Sequence, residues 1–172
     1  VEKIASAVRE RNIQYVFLAA RGTSDNAGRY ANYLLGALNG LPLALATPSL
    51  FTYYKQPPKL RNALVIGISQ SGQSPDIVSV LDEGKKQNCL TLAITNKSKS
   101  PLANAADFVL DIQAGREKAV AATKTYTTEL MSIAMLSTAM NGDKARWAEL
   151  AKIPYWMKSM LTPQNTDVAL DA

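Results

Sequence analysis

The chain has 172 residues, 47% of them hydrophobic and 19% charged, with a formal net charge of +5 and no histidine. That length supports one domain with a sizeable core, and the balance of apolar to charged residues excludes an intrinsically disordered chain. The missing histidine excludes a Ser-His-Asp triad and most zinc centres, and the single cysteine, Cys89, excludes an internal disulfide or a clustered-thiolate site.

The first apolar run, Tyr15-Val16-Phe17-Leu18-Ala19, ends in "ARGTSDNAGRY", Ala20 to Tyr30. Gly22 permits a turn, and Ser24 or Asp25 is placed to cap the helix that follows. Thr23 and Ser24 also offer donors to sugar hydroxyls or phosphate, and Arg21 sets a long cation at the same edge. Capping and ligand contact are equally open for Ser24; ligand contact is favoured for Thr23. Ala27, Tyr30, Ala31, Leu34 and Leu38 recur at helical spacing, and Asn39-Gly40 before Leu41-Pro42 stops that helix. A second run, Leu43-Ala44-Leu45-Ala46, leads to "PSLFTYYKQPPKLRN", a helical turn at Ser49 to Tyr53 and then a proline-rich loop.

The third run, Leu64-Val65-Ile66-Gly67-Ile68, meets "SQSGQSPDIV", Ser69 to Val78. Ser74-Pro75-Asp76 spells a helix start: hydroxyl cap, proline at the first helical position, acid in the first turn. Capping accounts for one serine and leaves Ser69, Gln70, Ser71 and Gln73 without a mechanical task. Unpaired amides at a helix amino end attract anions, and neutral hydroxyls add donors, so the loop reads as a phosphate cradle. Gly67 and Gly72 have P-loop spacing, but Gln73 stands where that motif needs lysine. A nucleophile elbow requires glycine at Ser71, and no G-x-G-x-x-G follows the first strand.

A helix marked by Ile77, Val80 and Leu81 runs towards Gly84, and Cys89 reads as a plain residue leading into the fourth run, Leu90-Thr91-Leu92-Ala93-Ile94. "NKSKSPLANAAD" carries a short helix with Ser100 as cap and Pro101 at its first position. After the fifth run, Phe108-Val109-Leu110, comes "AGREKAVAATKTY". Glu117 there is a candidate general base for a carbon-bound proton, with a loop salt bridge as the plain alternative; Lys124 reads as a helix-surface charge. A long helix over about 122–140, capped by Thr123, is apolar nearly all round, which implies deep burial or a partner. The tail suggests one more helix with Trp147, Leu150 and Ile153, then a turn at Pro154.

Nearly continuous apolar runs alternating with helices predict an α/β fold, a three-layer doubly wound sandwich with a five-stranded parallel sheet, its ligand beyond the carboxyl ends of the strands. The scattered basic residues read as solvated surface, not a nucleic-acid interface. No apolar run approaches the about 20 residues that cross a bilayer, so no membrane partner is expected, and the cytoplasm is the expected compartment. No cofactor or metal is called for. A chain opening at Val1 reads as a piece of something longer.

Three segments together, "RGTSDNAGRYANYLLG", "SQSGQSPDIV" and "EKAVAATKTYTTEL", resemble the SIS (sugar isomerase) domain over about 1–142. The likeness is to the first SIS domain in the isomerase half of glucosamine-6-phosphate synthases and the related deaminases. The resemblance implies that Ser69, Gln70, Ser71 and Ser74 hold the phosphate of a hexose or amino-sugar phosphate, with Thr23 beside the sugar and Gly22 among the substrate- or phosphate-binding residues. It puts Val120 and Ala121 where the backbone meets the sugar. Arg21 replaces the cysteine common in synthases, and Ala122 a common serine; "RGTSDNA" is nearer to the deaminase type. The resemblance further implies a homodimer, formed through the long helix, and a second SIS domain beyond a helical tail at 143–172. That second domain brings the ring-opening histidine, the proton-shuttling glutamate and the sugar-holding lysine. The implied chemistry is aldose-ketose interconversion coupled to amino transfer or loss, this chain supplying the phosphate grip. The alternative is a sugar-phosphate sensor in a transcription regulator.

Overall fold

A computed structural model describes residues 1–119 and 121–162. Its five strands are β1 (Tyr15–Ala19), β2 (Leu43–Leu45), β3 (Ala63–Ile68), β4 (Leu90–Thr95) and β5 (Phe108–Asp111). They form one sheet in the order β2-β1-β3-β4-β5, and every pairing is parallel. The main helices are α1 (Glu2–Glu10), α2 (Thr23–Asn39), α3 (Ser49–Thr52), α4 (Pro75–Lys86), α5 (Pro101–Ala105), α6 (Lys124–Asn141), α7 (Lys144–Leu150) and α8 (Ile153–Met160). This is the expected doubly wound α/β sandwich.

Alternation of side chains along each strand divides the core in two. Val16 and Leu18 of β1, with Leu64, Ile66 and Ile68 of β3, pack against Ile4 and Val8 of α1, Ala31 and Leu35 of α2, and Ile133 and Leu136 of α6. Phe17, Ala19 and Val65 point the other way, onto Ile77, Val80 and Leu81 of α4 and Leu102 of α5. β3 and β4 are buried along their whole length, which accounts for their unbroken apolar runs. The edge strands behave differently: β2 is short and largely exposed, and β5 alternates between half-buried and exposed residues. Gly67 lets two helices sit close to β3, since a Cβ there would lie 2.6 Å from Leu81 and 2.9 Å from Leu102.

Two local expectations change. Pro154 does not turn the tail; it sits in the first turn of α8, where a missing N–H costs nothing, and α7 and α8 are separate short helices. The long helix begins at Lys124, and Thr123 makes no side-chain cap. Most of its buried residues serve the chain's own interior against α1 and α2.

From β1 the chain moves outward to β2, then returns to the other side of β1 for β3. The two connections diverge there, opening a crevice beyond the carboxyl ends of β1 and β3.

Candidate functional site

The crevice holds a cavity of about 190 Å³. Arg21, Thr23 and Ser24 line it from the β1 side, Ser69, Gln70, Ser71 and Ser74 from the β3 loop, and Ala122 from the segment before α6. Three loops far apart in sequence thus meet over the switch point. Gly22 stands at the mouth of α2 with φ 57° and takes the N-cap position itself. Ser24 and Asp25 therefore lie inside α2, and Ser24 is not a cap.

The β3 loop is pinned from outside. The Ser69 amide donates to the Ile94 carbonyl, and the Gln70 carbonyl accepts from the Asn96 amide at 3.2 Å and Thr95 Oγ1 at 3.4 Å. Gly72 turns the loop at φ 62°, its amide donating to the Ser69 carbonyl and hydroxyl while its carbonyl accepts from the Leu102 amide. Ser71 Oγ accepts from the Gln73 amide at 3.3 Å. The backbone amides of Gln70, Ser71 and Ser74 donate to nothing among the described residues. Ser74 occupies the N-cap of α4 without a side-chain cap; its hydroxyl faces that of Ser69 at 3.4 Å. Unbonded amides, unengaged hydroxyl capacity and the positive end of a 12-residue helix converge on one cavity, which suits a compact anion.

Asp76, in the first turn of α4, would oppose an anion, but Arg21 reaches across from the β1 loop and pairs with it. On the opposite wall, Ser24 Oγ donates to Glu129 Oε1 at 2.9 Å. Glu129 is 1% exposed, and burial lifts its carboxyl from the ordinary 4.5 to about 7, against the lowering effect of the Ser24 hydrogen bond. Sequence reading passed over Glu129. The signal was a lone acid at four-residue spacing between Thr125 and Ile133, on the face that α6 buries.

Glu117, the candidate base, is ringed by donors of its own loop and of the start of α6. Its Oε1 accepts from the Lys118 and Ala119 amides, and its Oε2 from the Thr123 and Thr125 amides and the Thr125 hydroxyl. The Thr125 amide first, then that of Ala119, hold the carboxyl at about 2, far below a useful base at neutral pH. Glu117 gathers the amides at the start of α6 and so replaces the hydroxyl cap expected of Thr123. Asn96, also unforeseen, ties the same loop to the end of β4: its side chain accepts from the Ala114 amide at 2.9 Å and donates to the Gly115 carbonyl at 2.6 Å. Ala121 is exposed and does not line the cavity, whereas Ala122 does. Val120 lies outside the described residues.

The SIS domain profile matches residues 11–139. Glutamine–fructose-6-phosphate aminotransferase of Thermosynechococcus vestitus is 34% identical over 171 residues, covering 90% of this chain and 27% of that protein. The enzyme of the same name from Shouchella clausii is 38% identical over 136 residues, covering 79% and 22%. Among solved structures, a protein classed as a phosphosugar isomerase from Silicibacter pomeroyi superposes with a TM-score of 0.86 at 37% identity, over 90% of this chain and 47% of the other. The C-terminal domain of glucosamine-fructose-6-phosphate aminotransferase from Francisella tularensis gives 0.75 at 28%, over 93% and 45%. The chain thus spans about a quarter of the curated relatives and about half of these structures. With the profile extending from the end of α1 to the last turn of α6, and the switch-point cavity inside it, this chain belongs to the SIS domain family.

Proposed function

We propose that the chain binds the phosphoryl group of a hexose or amino-sugar phosphate at the amino end of α4, as the phosphate-gripping part of an amino-sugar phosphate isomerase, synthase or deaminase. The observation that carries this is the convergence of unbonded amides at Gln70, Ser71 and Ser74 with the Ser69, Ser71 and Ser74 hydroxyls on one cavity. Thr23 and Ser24 line the adjacent wall of the same cavity, Thr23 on the side given to the sugar and Ser24 beside the phosphoryl group. Relatives at 34% and 38% identity are aminotransferases named for fructose 6-phosphate, which supports a six-carbon sugar.

The relatives are longer than this chain, so their full reaction belongs to more protein than an SIS unit at 1–142; of the tail at 143–172, α7 and α8 are described and 163–172 lie outside the described residues. Self-association is placed on α6, where Met131 and Met135 are half-buried. The sensor alternative would use the same cavity. NanR of Vibrio vulnificus, solved with ManNAc-6P, is only 17% identical and shares the fold.

Calorimetric titration with fructose 6-phosphate and glucosamine 6-phosphate tests the site. Ser71→Ala removes a donor to an anion, an interaction of about 1.5–3 kcal/mol, and should weaken binding by about 10- to 100-fold without unfolding the chain. Equal affinity of the unaltered and Ser71→Ala proteins refutes the phosphate cradle.

A further inference from the structure

Behind the serine wall of the cavity lies a buried acid with unfinished bonding. Glu129 Oε1 accepts from Ser24 Oγ, while Oε2 is enclosed and has no hydrogen-bond partner among the described residues. Ser24 is itself 9% exposed and lines the cavity. A carboxylate in that position leaves a charged oxygen desolvated and unpaired, which favours the neutral acid.

We propose that Glu129 is a positioning residue for anion capture: in its neutral form its carboxyl donates to Ser24 Oγ and frees the Ser24 hydroxyl to donate to the phosphoryl group, so that binding takes up a proton from solvent. The inference rests on the phosphate reading above. The separation of 2.9 Å suits either direction of donation. With the carboxylate, the Ser24 hydrogen is committed to Glu129 and only oxygen lone pairs face the cavity, where they repel a phosphoryl oxygen. Protonation reverses that polarity and also removes a negative charge from behind the wall. Both effects favour the anion, and the titration near 7 puts the change within the physiological range.

Burial and the Ser24 bond account for the position of that titration, with no charge contributing. On α1, Glu2, Lys3, Arg9 and Glu10 are exposed, and Arg9 bonds to the carbonyls of Ala139 and Met140 at the far end of α6. On α2, Asp25 pairs with Arg29, Tyr30 is half-buried and Tyr33 is exposed. β4 has no ionisable side chain, α7 carries Lys144, Arg146 and Glu149 beyond that same far end, and α6 itself adds Lys124 and Tyr126. Arg21, at the cavity, is paired with Asp76.

Calorimetry of this chain with fructose 6-phosphate, in buffers of differing ionisation enthalpy, counts the protons. At about pH 8 the ligand is already a dianion, its second pKa being about 6. Uptake in the unaltered chain should approach one proton per site, and affinity should fall about tenfold per pH unit above the Glu129 midpoint. Glu129→Gln, whose amide donates to Ser24 as the neutral acid would, should show no uptake there and a flat affinity. Identical uptake and pH response in the two proteins overturns the proposal. Should the variant fail to fold, carbon-13 NMR follows the Glu129 carboxyl in the unaltered chain. Its midpoint should rise on saturation with fructose 6-phosphate, and an unmoved midpoint overturns the proposal. Absence of fructose 6-phosphate binding, or binding indifferent to Ser71→Ala, defeats the phosphate reading and this inference with it. Binding that needs Ser71 but is level across the window defeats the role of Glu129 alone.

Discussion

Replacing Gly72 with alanine probes how the loop after β3 is held. Gly72 has φ 62°, and a Cβ there would overlap the Ser100 side chain and lie 3.1 Å from Thr95 Oγ1. Ser100 cannot simply step aside, because it is 1% exposed and its hydroxyl accepts from the Ala103 amide to cap α5. Left-handed strain for alanine costs about 1 kcal/mol, and forcing extra volume into packed surroundings adds about 1–3 kcal/mol. Gly72→Ala should therefore destabilise by about 2–4 kcal/mol. Gly142 is the matched control: φ is 65°, yet nothing lies within 4 Å of its would-be Cβ, so only the strain of about 1 kcal/mol applies. For a chain of this size about 3 °C accompanies each kcal/mol, giving drops in Tm of about 6–12 °C and about 3 °C. Thermal and urea unfolding followed by circular dichroism measure both. Since the Gly72 amide holds Ser69, the Gly72 variant should also bind fructose 6-phosphate more weakly. Two variants of equal stability would refute the steric part of this reasoning.

Ser74 and Ser100 occupy equivalent N-caps but only Ser100 makes the side-chain bond, so Ser100→Ala should cost about 1 kcal/mol and Ser74→Ala much less. Equal losses in urea unfolding would mean that Ser74 caps α4 after all. Glu117 titrates at about 2 in the folded chain against an ordinary 4.5. A depressed acid stabilises the fold above its unfolded value, so that contribution is complete above about 4.5 and disappears as pH falls through about 2. Glu117→Gln removes it at neutral pH, and hydrogen exchange at the Thr123 and Thr125 amides should accelerate; unchanged protection would count against the gathering role of the carboxylate.

Short-range chemistry was legible in the residues themselves. Unbroken apolar runs at 64–68 and 90–94 announce strands covered on both faces, and β3 and β4 are those strands. Ser100-Pro101 marks the start of α5 because both cap and proline act within one turn. The polar loop after Ile68 could be placed over the strand ends because a parallel sheet aligns all its carboxyl ends together. Local spelling was a weaker guide where two mechanisms compete for one residue: Ser74 looks like a cap and instead turns to Ser69, and Thr123 yields its expected task to Glu117.

What only the tertiary structure decided depends on groups distant along the chain. Ser24 and Glu129 are 105 residues apart, and Arg21 and Asp76 are 55 apart. Nothing in a residue's own neighbourhood states which charge will be neutralised or which acid will be dehydrated, since desolvation and pairing are set by whatever the fold brings alongside. Periodicity could put Glu129 on the inner stripe of α6, but packing against α2 determined that its neighbour would be a serine of the cavity wall. Class of fold and position of the serine-rich loop follow from the order of residues; the polarity of the pocket follows from their assembly.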